Sequence, residues 1–229
     1  MAEHPWFEIE EPGEFDDPDG FWDFSETERA FVAELRERCA PWAADDLYGE
    51  VSRPEAEDAL MAWLPLSDPA DQRSLADIGV HFYGDRVRGD RLHSQLHFLP
   101  ERPSAWALDA TGPVPELARL SADWLESVAR RPVLLYVWLH DGYAYAARYA
   151  FADRDETLVQ SYAHRVAPPG QADALTAAGH VHGRGWIQTT GLPAPDVALH
   201  IRGDLEAAAL PPGTSLSTHR GPLPTLWYE

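Results

Sequence analysis

Between Pro132 and His140 the chain runs VLLYVWL, apolar at seven consecutive positions. A strand with one wet face alternates, whereas one covered on both faces does not, so this segment predicts a central strand with material packed on either side. His140-Asp141-Gly142 follows, and Asp-Gly tolerates the positive φ that a tight hairpin needs. The chain then returns as YAYAARYAF. Alternation expects Tyr143, Tyr145, Tyr149 and Phe151 on one face, and Ala144, Ala146, Arg148 and Ala150 on the other. The aromatic face reads as core first, with a partner surface or ligand wall as alternatives. ADRDET turns the chain again into TLVQSYA, which completes a three-stranded antiparallel meander.

Before it, PVPELARLSADWLESVARR places Leu117, Leu120, Trp124 and Val128 on one helical stripe, stopped by Pro132. The small alanine face of the meander would suit this helix. Further upstream, ADIGVHFYG and RLHSQLHFL both alternate, and GDRVRGD between them supplies turn residues. That hairpin would put Asp77, His81, His93, Gln95 and His97 on a common polar face. The expected fold class is α+β: a mostly antiparallel sheet (hairpin, helix, three-stranded meander) with helices on one face and an N-terminal helical lobe.

The lobe begins at Ser25, which with Glu28 has capping-box spacing ahead of Phe31, Leu35 and Cys39. A second short helix is expected from Pro54 through Ala56, Ala59, Leu60 and Trp63, with residues 65–73 as a linker. Three regions follow: an acidic aromatic arm (1–24), a helical lobe (25–70) and an α+β core (71–229) with an extended C-terminal tail. Within the core, QADALTAAG reads as a short helix, and GHVHGRGWIQTTG and DVALHIRG as short strands.

A chain of 229 residues can bury a full core, and its longest apolar run of seven falls far short of the roughly 20 residues that span a bilayer. The first residues carry acids where a secretory signal carries a basic start and an apolar run. A soluble, cytoplasmic protein is expected. Cys39 is the one cysteine, so neither an intrachain disulfide nor a cysteine-based zinc cluster can form, and its helical position favours a buried structural thiol. All 18 basic residues are arginine, and lysine and asparagine are absent. That pattern reflects GC-rich coding, so the arginines carry little information about bidentate chemistry.

The net charge of −20 is unevenly placed. Residues 1–28 hold eleven acids and no arginine, while the remaining 201 residues hold 27 acids against 18 arginines. Nucleic-acid backbones and anionic membrane surfaces both require concentrated positive charge, so neither is an expected partner. A partner selected by electrostatics would be basic. The arm interleaves its acids with aromatics, and Trp6, Phe7, Glu10, Glu11, Phe15, Asp16, Asp17, Phe21 and Trp22 are its candidate partner-binding residues. The plainer alternative lays those aromatics onto the body and leaves the acids in water.

Two histidine motifs bear on catalysis. In His93-Ser-Gln-Leu-His97, a helix could clasp zinc through positions i and i+4, but Ser94 stands where a zincin has its glutamate. On a strand, the same residues lie about 13 Å apart and cannot share an ion. A cross-strand set from His81, His93 or His97 with Asp77 is the residual metal reading. In Gly179-His-Val-His-Gly-Arg-Gly-Trp186, His180 and His182 of an extended segment lie about 6.6 Å apart on one side, near enough to share a divalent metal such as zinc. Arg184 could grip an anion there. The competing reading is a glycine-rich turn. No GxSxG, P-loop or GxGxxG occurs.

Two functions from different classes are therefore expected. The first is a cofactor-free protein-interaction module, of which an immunity or inhibitor protein is one form, whose acidic arm occupies a basic site on its partner. The alternative is a histidine-dependent, metal-assisted hydrolase built on the HVHGRG segment.

Overall fold

A computed structural model describes residues 6–9, 23–43, 47–54, 58–70, 73–207 and 216–217. The chain divides into two compact units, Met1–Ala129 and Arg130–Glu229. The fold is α+β, with antiparallel-rich sheets in both units. No described helix is long and apolar enough to cross a membrane.

The first unit contains α1 (Glu26–Cys39), β1 (Glu50–Ser52), β2 (Leu60–Asp68), β3 (Arg73–Phe82), β4 (Arg86–Arg91), β5 (Leu108–Thr111) and α2 (Val114–Ala129). The sheet order is β1-β2-β3-β4-β5, antiparallel throughout. Ser25 caps α1 as its spacing predicts: the Glu28 N–H donates to Ser25 Oγ, and the Ser25 N–H donates back to the Glu28 carboxylate at 2.7 Å. Phe31, Val32, Leu35 and Cys39 form the buried stripe, and Phe31 stacks on Phe82 of β3 with ring centroids 4.2 Å apart. α2 packs on α1 and on β3–β5, and Trp124 fills the space above Gly89, where a Cβ would lie 3.1 Å from its ring.

Burial raises the Cys39 thiol pKa to about 12, with Glu126 adding to the effect. The native thiol is expected to resist an aromatic disulfide reagent at pH 8 and to react only as fast as the unit unfolds. Stoichiometric labelling in native buffer would contradict that.

Two segments depart from the periodicity reading. The helix expected over 54–63 is absent among the described residues there, and residues 60–68 are a strand. Leu60, Ala62, Leu64 and Leu66 share the face that carries Ile78 and Phe82, while Met61 is buried on the other. A strand covered on both faces has no period of two, and Ala59, Leu60 and Trp63 mimic helical spacing by chance. Pro65 lies past the stretch that β1 pairs, a position that tolerates a missing N–H, and where a linker is expected, residues 65–68 belong to β2 and pair with β3, which begins at Arg73. The second correction concerns the next hairpin. Its turn is Tyr83–Asp85, with Gly84 at φ +95°, and GDRVRGD is mostly strand β4. RLHSQLHFL folds as a loop after Arg91.

The second unit contains β6 (Val133–His140), β7 (Tyr143–Phe151), β8 (Glu156–Tyr162), α3 (Gln171–Ala177), β9 (Val181–His182), β10 (Trp186–Ile187), β11 (Val197–Arg202) and β12 (Leu216–Ser217). Its sheet runs β12-β11-β6-β7-β8, so VLLYVWL is central, as its composition predicts. The turn has Asp141 at φ +49° and Gly142 at +82°. A bulge opposite Trp138 and Leu139 breaks the expected two-sidedness of β7. Tyr145 joins Tyr136, Trp138 and Ala146 in one cluster, Tyr149 lies across from Leu135 and Val159, and Tyr143 is exposed. The three tyrosines therefore form no common wall. The alanine face is covered by Val166, Ala167 and Leu192 of the same unit, and helix 114–129 belongs to the first unit.

Candidate functional site

The covered face of the first sheet answers the question posed by HSQLH. His93 to His97 is a tight turn: the His97 N–H donates to the His93 carbonyl at 2.8 Å, and His97 has φ +53°. His93 Nδ1 accepts from the N–H groups of Leu96 and Gln95 at 3.3 and 3.4 Å, and its ring stacks on Phe98. That nitrogen is occupied with closing the turn. Leu92 and Leu99 pack with Met61 and Trp63, which lays the loop across the sheet. Asp90 pins the next stretch, its carboxylate accepting from Arg91 N and Ser104 N, both at 2.7 Å.

Beneath the loop lies His81, fully buried, whose Nε2 donates to the His97 carbonyl at 3.0 Å. The His97 ring lies over Trp63 at 4.8 Å between centroids. The polar face is thus sheltered rather than wet. The structure brings Asp77, His81 and His97 to it, but one histidine meets the other through a main-chain carbonyl. No described set of three or more His, Cys, Asp or Glu side chains is arranged to hold a metal ion.

Burial pushes the Asp77 carboxyl above its usual range, and the nearby His97 and Arg91 offset this only in part. A carboxyl held above its unfolded value of 3.8 loses stability for the fold as pH rises through its folded pKa. Asp77→Asn is therefore expected to raise the midpoint of thermal unfolding at pH 7, with the gain vanishing below pH 3.8. A lower midpoint at pH 7 would show that the carboxylate is a stabilising partner instead.

In the second unit, GHVHGRGW is the β9–β10 hairpin, with Gly183 and Gly185 at φ +55° and +96° on either side of Arg184. The His180 ring packs onto Gly191, where an added Cβ would sit 2.3 Å from the ring. His182 pairs in register with Trp186, which is 75 % exposed. Arg184 is exposed at the tip. The hairpin presents an aromatic and an arginine, and among the described residues no third ligand gathers around His180 and His182.

Of the nine arm residues singled out, Trp6 and Phe7 are described and both are buried. Trp6 meets Phe7 and Trp42 edge to face, and the Phe7 N–H donates to the Gly49 carbonyl at 2.9 Å. These two rings belong to the core and not to a contact surface. Glu10, Glu11, Phe15, Asp16, Asp17, Phe21 and Trp22 lie outside the described residues. The chain re-enters the described region at Asp23, and Phe24 is buried with the Arg53 guanidinium 5.0 Å above its ring. Arg53 also binds both Glu28 oxygens, at 2.8 and 3.0 Å, beside a cleft of about 450 Å³ rimmed by Asp23 and Asp58.

Division into units sharpens the charge reading, which composition by residue window blurs. Residues 1–129 hold 29 acids and 10 arginines, a balance of −19, and residues 130–229 hold nine acids and eight arginines, a balance of −1. No protein-family model, curated protein or solved structure matches the chain.

Proposed function

We propose that the chain is a protein-interaction module whose acidic first unit occupies a basic site on another protein. One observation supports this most: nearly the whole net charge belongs to one unit, and its densest acidic stretch lies in sequence between two buried anchors, Phe7 and Phe24. An excess of this size concentrated on one body attracts a basic surface and disfavours polyanions. An inhibitor or immunity protein that covers a phosphate-binding cleft is one form such a module takes, because carboxylates there replace the phosphates of the natural ligand. Among the described residues no third ligand joins His180 and His182, and the metal-hydrolase reading is not carried further.

The test is capture from cell extract on two columns. One carries the wild-type chain, and the other carries a variant with Glu10, Glu11 and Glu14 changed to Gln and Asp16, Asp17 and Asp19 changed to Asn. The expected result is a protein of basic pI retained on the first column and lost from the second. Equal retention on both, or retained proteins with no basic surface, would overturn the proposal.

A further inference from the structure

The second unit buries an arginine that its surroundings satisfy only in part. Arg148 lies on β7 between Tyr136 of β6 and Gln160 of β8, and its side chain is 7 % exposed. Its Nη2 donates to Asp155 Oδ1 at 2.6 Å, whereas Nε and Nη1 are shut off from solvent and have no hydrogen-bond partner among the described residues. The N–H bonds on those two nitrogens, more than half of what a guanidinium carries, meet no acceptor. Buried polar groups are normally paired, and a charged one left short of acceptors is expensive to keep. Such a group calls for an acceptor that arrives from outside.

The neighbours define that acceptor. The Tyr136 ring lies against the guanidinium, 5.0 Å from Cζ to its centroid, and burial raises its phenol pKa, so it stays neutral beside the arginine. Gln160 has its side-chain oxygen engaged by the Thr189 N–H and hydroxyl at 3.0 and 2.7 Å, which leaves the amide nitrogen as its donor end. Along β7 the same-face neighbours of Arg148 are Ala146 and Ala150, which carry only methyl groups. Asp155 meets the guanidinium through one oxygen, and its side chain is 66 % exposed. An ion pair with a partner so exposed is weakly held. It nevertheless shows that a carboxylate fits the guanidinium at this place. The second unit's balance of −1 also sets up no general repulsion of anions.

We propose that Arg148 binds the carboxylate of a small organic acid, which displaces Asp155 from the guanidinium. The incoming group accepts from Nη2 and from one of the two nitrogens that Asp155 leaves unmet, and a two-point bond outcompetes a one-point bond. Tyr136 supplies a flat neutral wall, and Gln160 a neutral donor to one side. Asp155 is a built-in placeholder: it covers the charge while the site is free and turns into water when the ligand arrives. The site lies in the second unit and does not depend on the basic partner of the first.

The test is an NMR titration of the full chain with sodium acetate, with sodium chloride and sodium phosphate at matched ionic strength as the other arms. Saturable shifts are expected at the Arg148 Nε–H and at Tyr136 with acetate, and none with chloride. Asp155→Asn removes the competing charge from an exposed turn and is expected to tighten acetate about twofold to fivefold, the scale of a partly exposed ion pair. Arg148→Lys loses the planar fork and is expected to weaken acetate at least about tenfold. Should Arg148→Lys fail to fold, wild type against Asp155→Asn decides alone, because a purely structural Asp155 would not oppose binding. No saturable shift at the Arg148 Nε–H in either wild type or Asp155→Asn would overturn the site. Acetate binding no tighter in Asp155→Asn than in wild type would overturn the displacement. Chloride reproducing the shifts, or phosphate binding more tightly than acetate, would overturn the carboxylate assignment.

Discussion

Replacing Phe7 by alanine is expected to destabilise the first unit by about 3–5 kcal/mol, the cost of emptying a phenylalanine-sized site in a packed core. The reason is local and specific. Phe7 is fully buried, its ring occupies the space a Gly49 side chain would need, and a Cβ there would lie 2.7 Å from the ring edge. Trp6 packs edge to face against it and is itself backed by Trp42, so the cavity would have a rigid aromatic wall that relaxes poorly. Chemical unfolding followed by tryptophan fluorescence reads the change. A loss below about 1 kcal/mol would show that Phe7 is a dispensable surface contact, since only surface substitutions are normally that mild. The same anchoring means that deletion of residues 1–24 is a poor test of the arm, because it removes Phe7 and Phe24 from the core along with the acids.

Neutralising Glu10, Glu11, Glu14, Asp16, Asp17 and Asp19 together is expected to weaken the basic partner roughly a hundredfold at low salt, mostly by slowing association. The substitutions leave the anchors Phe7 and Phe24 in place, so the folded units should keep their unfolding midpoints. Six charges removed from a unit that carries −19 leave it acidic, and some attraction will remain. Stopped-flow association rates give the most direct reading. An unchanged association rate with a faster dissociation rate would place these residues in a close-packed contact rather than a steering field.

Much of the fold was legible where periodicity met clear punctuation. VLLYVWL, Asp-Gly and Ser25…Glu28 each carry one physical signal, and each lies in the structure where that signal puts it. Residues 54–73 misled because a strand buried on both faces has no period, and Ala59, Leu60 and Trp63 imitated a helix. HSQLH misled because alternation continued through a turn whose His97 adopts a positive φ that no sequence pattern announces. Part of the candidate site was also readable. A hairpin face of Asp77, His81, His93, Gln95 and His97 is the expectation; Asp77 and His81 do lie on one strand, but His93–His97 is a turn laid over it, which depends on Leu92 and Leu99 reaching Met61 and Trp63. The split of charge between units needed the boundary at Ala129, where only three residues separate the end of α2 from β6 and no long linker marks it.

The most direct measurement is the dissociation constant of the captured partner across a series of salt concentrations, for the wild type and the six-residue neutralised variant. An acidic unit that docks on a basic site predicts steep weakening of the wild type with salt and a distinctly shallower slope for the variant. Coincident slopes, or a wild-type affinity that does not change with salt, would contradict it.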